Sequence, residues 1–302
     1  MTGVRPSIDR PAPFGRVLTA MVTPFGPDGS LDLSGAAALA TWLVEHGNDG
    51  LVVSGTTGES PTTTDAEKDA LLRVVVEAVG QRASVLAGVG TNDTAHTIEL
   101  ARAAQRAGAD GLLVVTPYYN RPPQEGLLVH FTRVADATEL PVVVYDIPGR
   151  TGTAVASDTL VRLGEHPRVV AVKDAKGDLS ASAWVMSRSG LAYYSGDDMV
   201  TLPLLSVGGC GVVGVPTHLF AVQTAAMVAA YLAGDVASAL ATYRQLLPVY
   251  TGFFRTQGVI LTKAALRLSG LPAGPVRAPL VEATDAETAR LREDMAAAGL
   301  LV

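Results

Sequence analysis

Lys173 closes the apolar run Val169-Val170-Ala171-Val172, and this pairing of an amine with a buried-type segment carries the most chemistry in the chain. A lysine held among apolar groups loses the water that favours its ammonium, so its pKa falls. The neutral amine can attack a ketone, giving a carbinolamine and then an imine. Taken alone, a strand-end lysine is more often a solvated charge. Lys176, just before Gly177, is the rival amine and reads as an exposed loop residue.

Other polar groups end other apolar runs. These are Ser54-Gly55-Thr56-Thr57-Gly58-Glu59-Ser60, Thr116-Pro117-Tyr118-Tyr119-Asn120, Tyr145-Asp146-Ile147-Pro148-Gly149-Arg150-Thr151 and Ser195-Gly196-Asp197-Asp198. Tyr145 is either a phenol able to shuttle protons or a packed aromatic whose hydroxyl is met by backbone. Gly55 and Gly58 flank Thr56 and Thr57, so backbone N–H groups and hydroxyls can come close to a carboxylate, although such a turn alone is usually structural. Arg150 offers a planar fork suited to a carboxylate; by itself it is an ordinary loop charge.

Weaker signals argue for less. Gly209-Cys210-Gly211-Val212-Val213-Gly214 matches a dinucleotide fingerprint literally, but its glycines precede and occupy an apolar run instead of opening a helix. Histidines and carboxylates show no metal-ligand spacing. Asn92-Asp93-Thr94 matches a glycosylation acceptor without a secretory signal to support it. Cys210, the single cysteine, reads as a small buried residue and excludes a disulfide framework within the chain.

The elements that must position these groups follow from patterning. Eight short apolar runs recur at Val17–Val22, Gly50–Ser54, Ser84–Gly88, Gly111–Thr116, Pro141–Tyr145, Val169–Lys173, Ala192–Ser195 and Gly211–Val215. They mostly lack polar alternation, as expected of parallel strands covered on both faces. Amphipathic helices fall between them at Leu33–His46, Asp65–Val79, Thr94–Ala107, Glu125–Thr138 and Ser157–Leu163, the first three stopping at Gly47, Gly80 and Gly108. Eight βα units predict a closed (β/α)₈ TIM barrel, with its site at the C-terminal ends of the strands. After Gly234 the pattern is helical only, over Val236–Tyr250, Val259–Leu268 and Asp285–Ala298. We therefore expect an N-terminal arm over 1–15, the barrel over 16–234, and an appended C-terminal helical segment over 235–302 packed on the barrel.

Composition agrees with a packed protein of 302 residues, 48% hydrophobic and 17% charged. A net charge of −6 without a cationic run argues against a nucleic-acid surface. Gly211–Leu232 is nearly uncharged and long enough to suggest a membrane span, but Gly214, Pro216, His218 and Gln223 divide it into a β-like run and a helix. The first fifteen residues carry Pro6, Pro11 and Pro13 and no apolar core, so they read as a loose arm and not as a signal peptide. The compartment expected is the cytoplasm.

Taken together, these strand-end segments and Val172-Lys173-Asp174 resemble the dihydrodipicolinate synthase family, also called the 4-hydroxy-tetrahydrodipicolinate synthase family. The resemblance runs from about Gly15 onward. It implies a lyase that joins pyruvate to L-aspartate-4-semialdehyde on the route to diaminopimelate and lysine. By motif, Lys173 would form the imine, and Tyr145, Thr56 and Tyr119 would relay protons, with Tyr119 donated across a tight-dimer interface. Thr57 and Thr56 would hold the pyruvyl carboxylate. Arg150 would place the semialdehyde's carboxylate and support the Tyr119 loop, and Gly196 and Val213 would approach substrate with backbone groups. A homo-oligomer, a tetramer of tight dimers, is implied, and neither metal nor organic cofactor is needed, because the imine is the electron sink.

The chain departs from the family pattern in places. Asp146 stands where Asn is frequent, and Gly214 where a hydroxyl residue is common. Strand alternation should turn Asp146 away from the site. Asp65 and Lys68 occupy positions where lysine-inhibited members have histidines, and His96 replaces an acidic residue, so we expect weak or absent lysine feedback. The alternatives are another pyruvate-dependent aldolase, of the N-acetylneuraminate lyase or keto-deoxy-sugar-acid type, or a non-catalytic pyruvate-binding barrel. Thr57 and Arg150 favour the synthase over the sugar-acid lyases, and the complete polar set argues against a mere binder.

Overall fold

The computed structural model describes residues 11–301. Its strands are β1 (Val17–Ala20), β2 (Gly50–Val53), β3 (Ser84–Gly88), β4 (Gly111–Val115), β5 (Val142–Asp146), β6 (Val169–Asp174), β7 (Ala192–Ser195) and β8 (Gly211–Gly214). Each pairs in parallel with its sequence neighbours, and β8 returns to β1 with Val17 opposite Val212. The sheet is therefore a closed barrel, as the eight apolar runs predict.

Alternation explains why those runs are apolar throughout. Leu18, Val52, Leu86, Leu113, Val143, Ala171 and Val213 fill the barrel interior. Leu51, Val53, Val85, Leu112, Val114, Val144 and Val172 face outward into a second core shared with the helices. Both faces are thus dry, so neither tolerates a polar period.

The helices are α1 (Leu33–Glu45), α2 (Asp65–Val79), α3 (Thr94–Ala107), α4 (Gln124–Asp136), the single turn α5 (Pro148–Thr151), α6 (Ser157–Leu163), α7 (Leu179–Met186), α8 (Thr201–Ser206), α9 (Thr217–Leu232), α10 (Val236–Gly252), α11 (Gly258–Leu268) and α12 (Asp285–Ala297). Side-chain caps start several of them: Asp32 accepts from Gly35 N–H, Asp93 from Ala95 N–H, and Thr64 with Glu67 forms a reciprocal capping box. Gly108 ends α3 in the left-handed region at φ 89°, where a side chain would be strained. Gly80 ends α2 with φ −59°, so it stops that helix without needing a glycine's freedom. The sequence pattern did not reveal α5 or α8, which are too short to show a helical period, or α7, whose run Leu179-Ser180-Ala181-Ser182-Ala183-Trp184-Val185-Met186 has no clear polar face.

Of the expected arm, residues 1–10 lie outside the described residues. Phe14 is buried at the foot of the barrel, where its N–H donates to the Tyr194 hydroxyl at 3.2 Å. The uncharged stretch divides into β8 and α9, with non-helical dihedrals at Phe220. Among the described residues no helix is long and apolar enough to cross a membrane. The C-terminal helices pack on α9 and on one another, and Phe253, Leu261, Leu291 and Met295 are buried between them.

Candidate active site

Parallel register sets Tyr145 of β5 directly beside Lys173 of β6. Asp146 and Asp174 alternate outward, so Tyr145 and Lys173 both point inward at the C-terminal mouth of the barrel. The Lys173 Nζ lies 4.2 Å from the Tyr145 ring centroid, and each residue is only 5% exposed. Burial lowers the Lys173 pKa to about 8; the Asp198 carboxylate opposes that shift and the Arg150 guanidinium adds to it. Burial likewise raises the Tyr145 phenol to about 12, while Arg150 and a hydrogen bond with the Thr56 side chain pull it down. The amine is thus available in neutral form near physiological pH, and the phenol beside it keeps its proton.

Thr56 sits in a tight turn after β2. Ser54 and Glu59 bracket that turn with φ of 58° and 54°, conformations that non-glycine residues adopt only when their surroundings hold them. The Glu59 N–H donates to the Thr56 carbonyl at 3.1 Å and the Ser60 N–H to the Gly55 carbonyl at 3.3 Å. The Thr23 hydroxyl donates to the Gly58 carbonyl at 2.6 Å. A cavity of about 240 Å³ opens against this turn, lined by Gly55, Thr56, Tyr118, Tyr145, Ile147 and Arg150 among others.

The remaining predicted residues divide. Arg150 lies on α5, exposed on its outer side but lining that cavity. Thr57 is half-buried in the turn beside Thr56 and does not line the cavity. Gly196 packs on Lys173: a Cβ there would lie 3.1 Å from both the Lys173 Cγ and the Ala175 Cβ, a contact tight enough that these neighbours would have to shift by a few tenths of an ångström. Its N–H donates to the Asp174 carbonyl at 2.7 Å and is therefore already used. Val213 is buried in the barrel interior and does not line the cavity. Tyr119 is not brought to Thr56 or Tyr145 within the chain: it is 90% exposed with φ 72°. Its neighbour Asn120 secures the loop by donating to the Asn92 carbonyl at 2.8 Å.

Lys176 is not the exposed loop charge that its place before Gly177 suggests. Its Nζ lies 2.9 Å from Asp146 Oδ2, and its side chain is 13% exposed. Asp146 points outward as strand alternation requires, and the Val155 N–H donates to it as well. The carboxylate that departs from the family pattern therefore has its own cation and stays clear of the relay.

Sequence reasoning also missed Asp198. It is buried at the start of the 3₁₀ turn after β7, and its Oδ2 accepts from Val215 N–H at 3.2 Å. Gly214 leaves room for that carboxylate. Burial raises the Asp198 pKa to about 7, with the Val215 hydrogen bond and the Lys173 charge opposing the rise. The signal in the sequence was a double acid directly after a strand end, which also fits a solvated turn.

Residues 13–298 match the model of the Dihydrodipicolinate synthetase family. A 4-hydroxy-tetrahydrodipicolinate synthase of Acidothermus cellulolyticus is 75% identical over 96% of this chain and 94% of the relative. The 4-hydroxy-tetrahydrodipicolinate synthase 2 of Streptomyces coelicolor is 65% identical over 95% and 96%. Among solved structures, the dihydrodipicolinate synthase of Cyanidioschyzon merolae with lysine bound superposes with a TM-score of 0.94 at 43% identity, covering 95% of this chain and 99% of that one. The Thermotoga maritima dihydrodipicolinate synthase gives 0.92 at 37% identity over 95% and 99%. The chain belongs to the dihydrodipicolinate synthetase family.

Proposed function

We propose that this lyase condenses pyruvate with L-aspartate-4-semialdehyde through an imine on Lys173, giving 4-hydroxy-tetrahydrodipicolinate. The observation that carries the reading is the buried Lys173 amine, drawn down to about pKa 8 and set 4.2 Å from the Tyr145 ring. Neutral Lys173 attacks the ketone carbon of pyruvate. The carbinolamine takes up a proton on its oxygen and loses water, and Tyr145 with Thr56 passes the protons. The iminium then accepts the electron pair of a methyl C–H bond as that proton leaves. The resulting enamine attacks the aldehyde carbon, whose oxygen takes up a proton to become the hydroxyl, and the iminium is restored. The semialdehyde's own amine finally closes on the imine carbon and displaces Lys173, which regenerates the enzyme.

Thr57 and Thr56 hold the pyruvyl carboxylate in this scheme, and Arg150 holds that of the semialdehyde as a bidentate clamp. Gly196 leaves the Lys173 stem room that a Cβ, 3.1 Å from the Lys173 Cγ, would crowd. Val213 contributes its backbone and the wall of the barrel mouth. Tyr119 completes the relay from a second copy of the chain, a role supported by its 90% exposure on a loop held in a left-handed conformation. The assembly we propose is a homotetramer built from tight dimers, and the single buried cysteine suits a cytoplasmic compartment.

A coupled assay with pyruvate and aspartate-semialdehyde tests the reading, comparing the parent with Lys173→Ala and the semialdehyde with sugar aldehydes. Turnover of the semialdehyde by the parent and none by Lys173→Ala is expected. Preference for a sugar aldehyde, or full activity in Lys173→Ala, overturns it.

A further inference from the structure

The best-built polar cluster outside the barrel mouth ties the Thr56–Thr57 turn to the C-terminal helices. Glu59 closes the turn, and its side chain is 1% exposed. Its Oε1 lies 2.6 Å from the Nζ of Lys263, a residue of α11 whose side chain is 0% exposed. Its Oε2 accepts from the Arg277 N–H at 2.8 Å. Lys263 also donates to the Pro275 carbonyl at 2.7 Å. The Phe25 ring packs against both cations, with Lys263 Nζ at 4.2 Å and Arg277 Cζ at 4.1 Å from its centroid. Arg277 donates onward to the carbonyls of Gly29 and Thr62 and to both oxygens of Glu67, which in turn caps α2.

A wholly buried ion pair is a poor device for bulk stability, because desolvation offsets most of the attraction and an apolar pair of the same shape often serves as well. What it supplies is direction. Glu59 is left-handed; local hydrogen bonds shape the turn, and the Glu59 carboxylate ties that shaped turn to the C-terminal segment, so this anchor helps set where the two threonines point. We infer that Glu59 is a positioning residue for the pyruvyl carboxylate, and that its pair with Lys263 makes α11 of the C-terminal segment part of the active site. The inference rests on the proposed reading of Thr56 and Thr57 as the groups that hold that carboxylate.

The experiment uses the full-length enzyme in its assembled form. Glu59→Gln combined with Lys263→Met removes both charges and leaves none buried. Glu59→Asp, in parallel, keeps the charge but withdraws it from Lys263, so a folding failure of the double variant still leaves a reading. Steady-state kinetics in each substrate and thermal denaturation are measured for both. The pyruvate KM should rise by between about tenfold and a hundredfold, the effect of a small misplacement of a binding group, while the semialdehyde KM stays near the parent value. A folded variant with the parent's pyruvate KM, or one that loses both substrates equally, overturns the inference. Thr57→Val separates the two layers. If it leaves the pyruvate KM unchanged while the Glu59 variants raise it, the carboxylate reading fails. If it raises the KM and they do not, only the coupling to Lys263 fails.

Discussion

Tyr145 and Lys173 are direct partners across β5 and β6, with the Lys173 Nζ 4.2 Å from the Tyr145 ring centroid. The ring therefore shields the amine from water while its hydroxyl reaches toward Thr56. Tyr145→Phe separates the two effects. The ring remains and Lys173 stays buried, but the proton-passing oxygen is gone. Turnover should fall by about 10²- to 10⁴-fold, the usual worth of a positioned acid–base group, with little change in melting temperature. Single-turnover imine formation followed by borohydride quench is the measurement; an unchanged imine rate contradicts a proton role for Tyr145.

The Lys173 pKa also predicts a stability effect. Burial lowers it from 10.5 to about 8, so the folded protein binds this proton less tightly than the unfolded chain. Below pH 8 the penalty is fully present. As pH rises from about 8 to 10.5 the unfolded chain still holds a proton that the fold has released, and stability rises through that window. Lys173→Met removes the penalty. It should abolish activity yet stabilise the fold at neutral pH, by up to roughly 3 kcal/mol. Thermal denaturation checks this, and a clearly lower melting temperature contradicts it.

Activity should carry the same titration. Imine formation needs the neutral amine, so its rate should climb through an apparent pKa near 8. Arg150 lowers the Lys173 value and Asp198 raises it. Arg150→Ala should move the acidic limb to higher pH, and Asp198→Asn should move it lower. Trapping rates measured across the pH range decide; shifts of the opposite sign count against the electrostatic account.

Much of this was legible in the sequence. Continuous apolar runs betray parallel strands because both faces of such a sheet are dry, and strand ends then mark the mouth of the barrel. That logic reached Lys173, Tyr145, Thr56 and Arg150. It misread Lys176, because a charge in a loop looks solvated until the outward face of β5 supplies Asp146. It could not reach the pairing of Glu59 with Lys263, which joins distant parts of the chain through packing that no local pattern encodes. Tyr119 was found by motif alone; nothing in one folded chain brings it to Tyr145.

Mixing two inactive variants tests whether Tyr119 acts across subunits. Tyr119→Phe and Lys173→Ala should each be nearly inactive alone. If Tyr119 serves the neighbouring subunit, dissociating and reassembling the two variants together gives sites with both groups intact, and part of the parent activity returns. No recovery on mixing, with hetero-oligomers demonstrated by mass spectrometry, contradicts donation in trans.

Feedback by lysine should be weak or absent. Asp65, Lys68 and His96 do come together: His96 Nε2 lies 2.9 Å from Asp65 Oδ2, and Lys68 lies 3.9 Å from Asp65 Oδ1 while donating to the Thr63 carbonyl. Asp65 is thus already shared by two basic groups, His96 and Lys68, which makes it a poor partner for the ammonium of a cationic amino acid. Initial rates with millimolar lysine should match those without it, and a saturable inhibition curve would refute the expectation.

The most direct measurement is borohydride reduction of the enzyme with pyruvate, followed by peptide mapping of the adduct. The account predicts one pyruvyl-derived mass increment per chain, located on Lys173 and absent from Lys173→Ala. An adduct on Lys176 or Lys263, or none at saturating pyruvate, contradicts it.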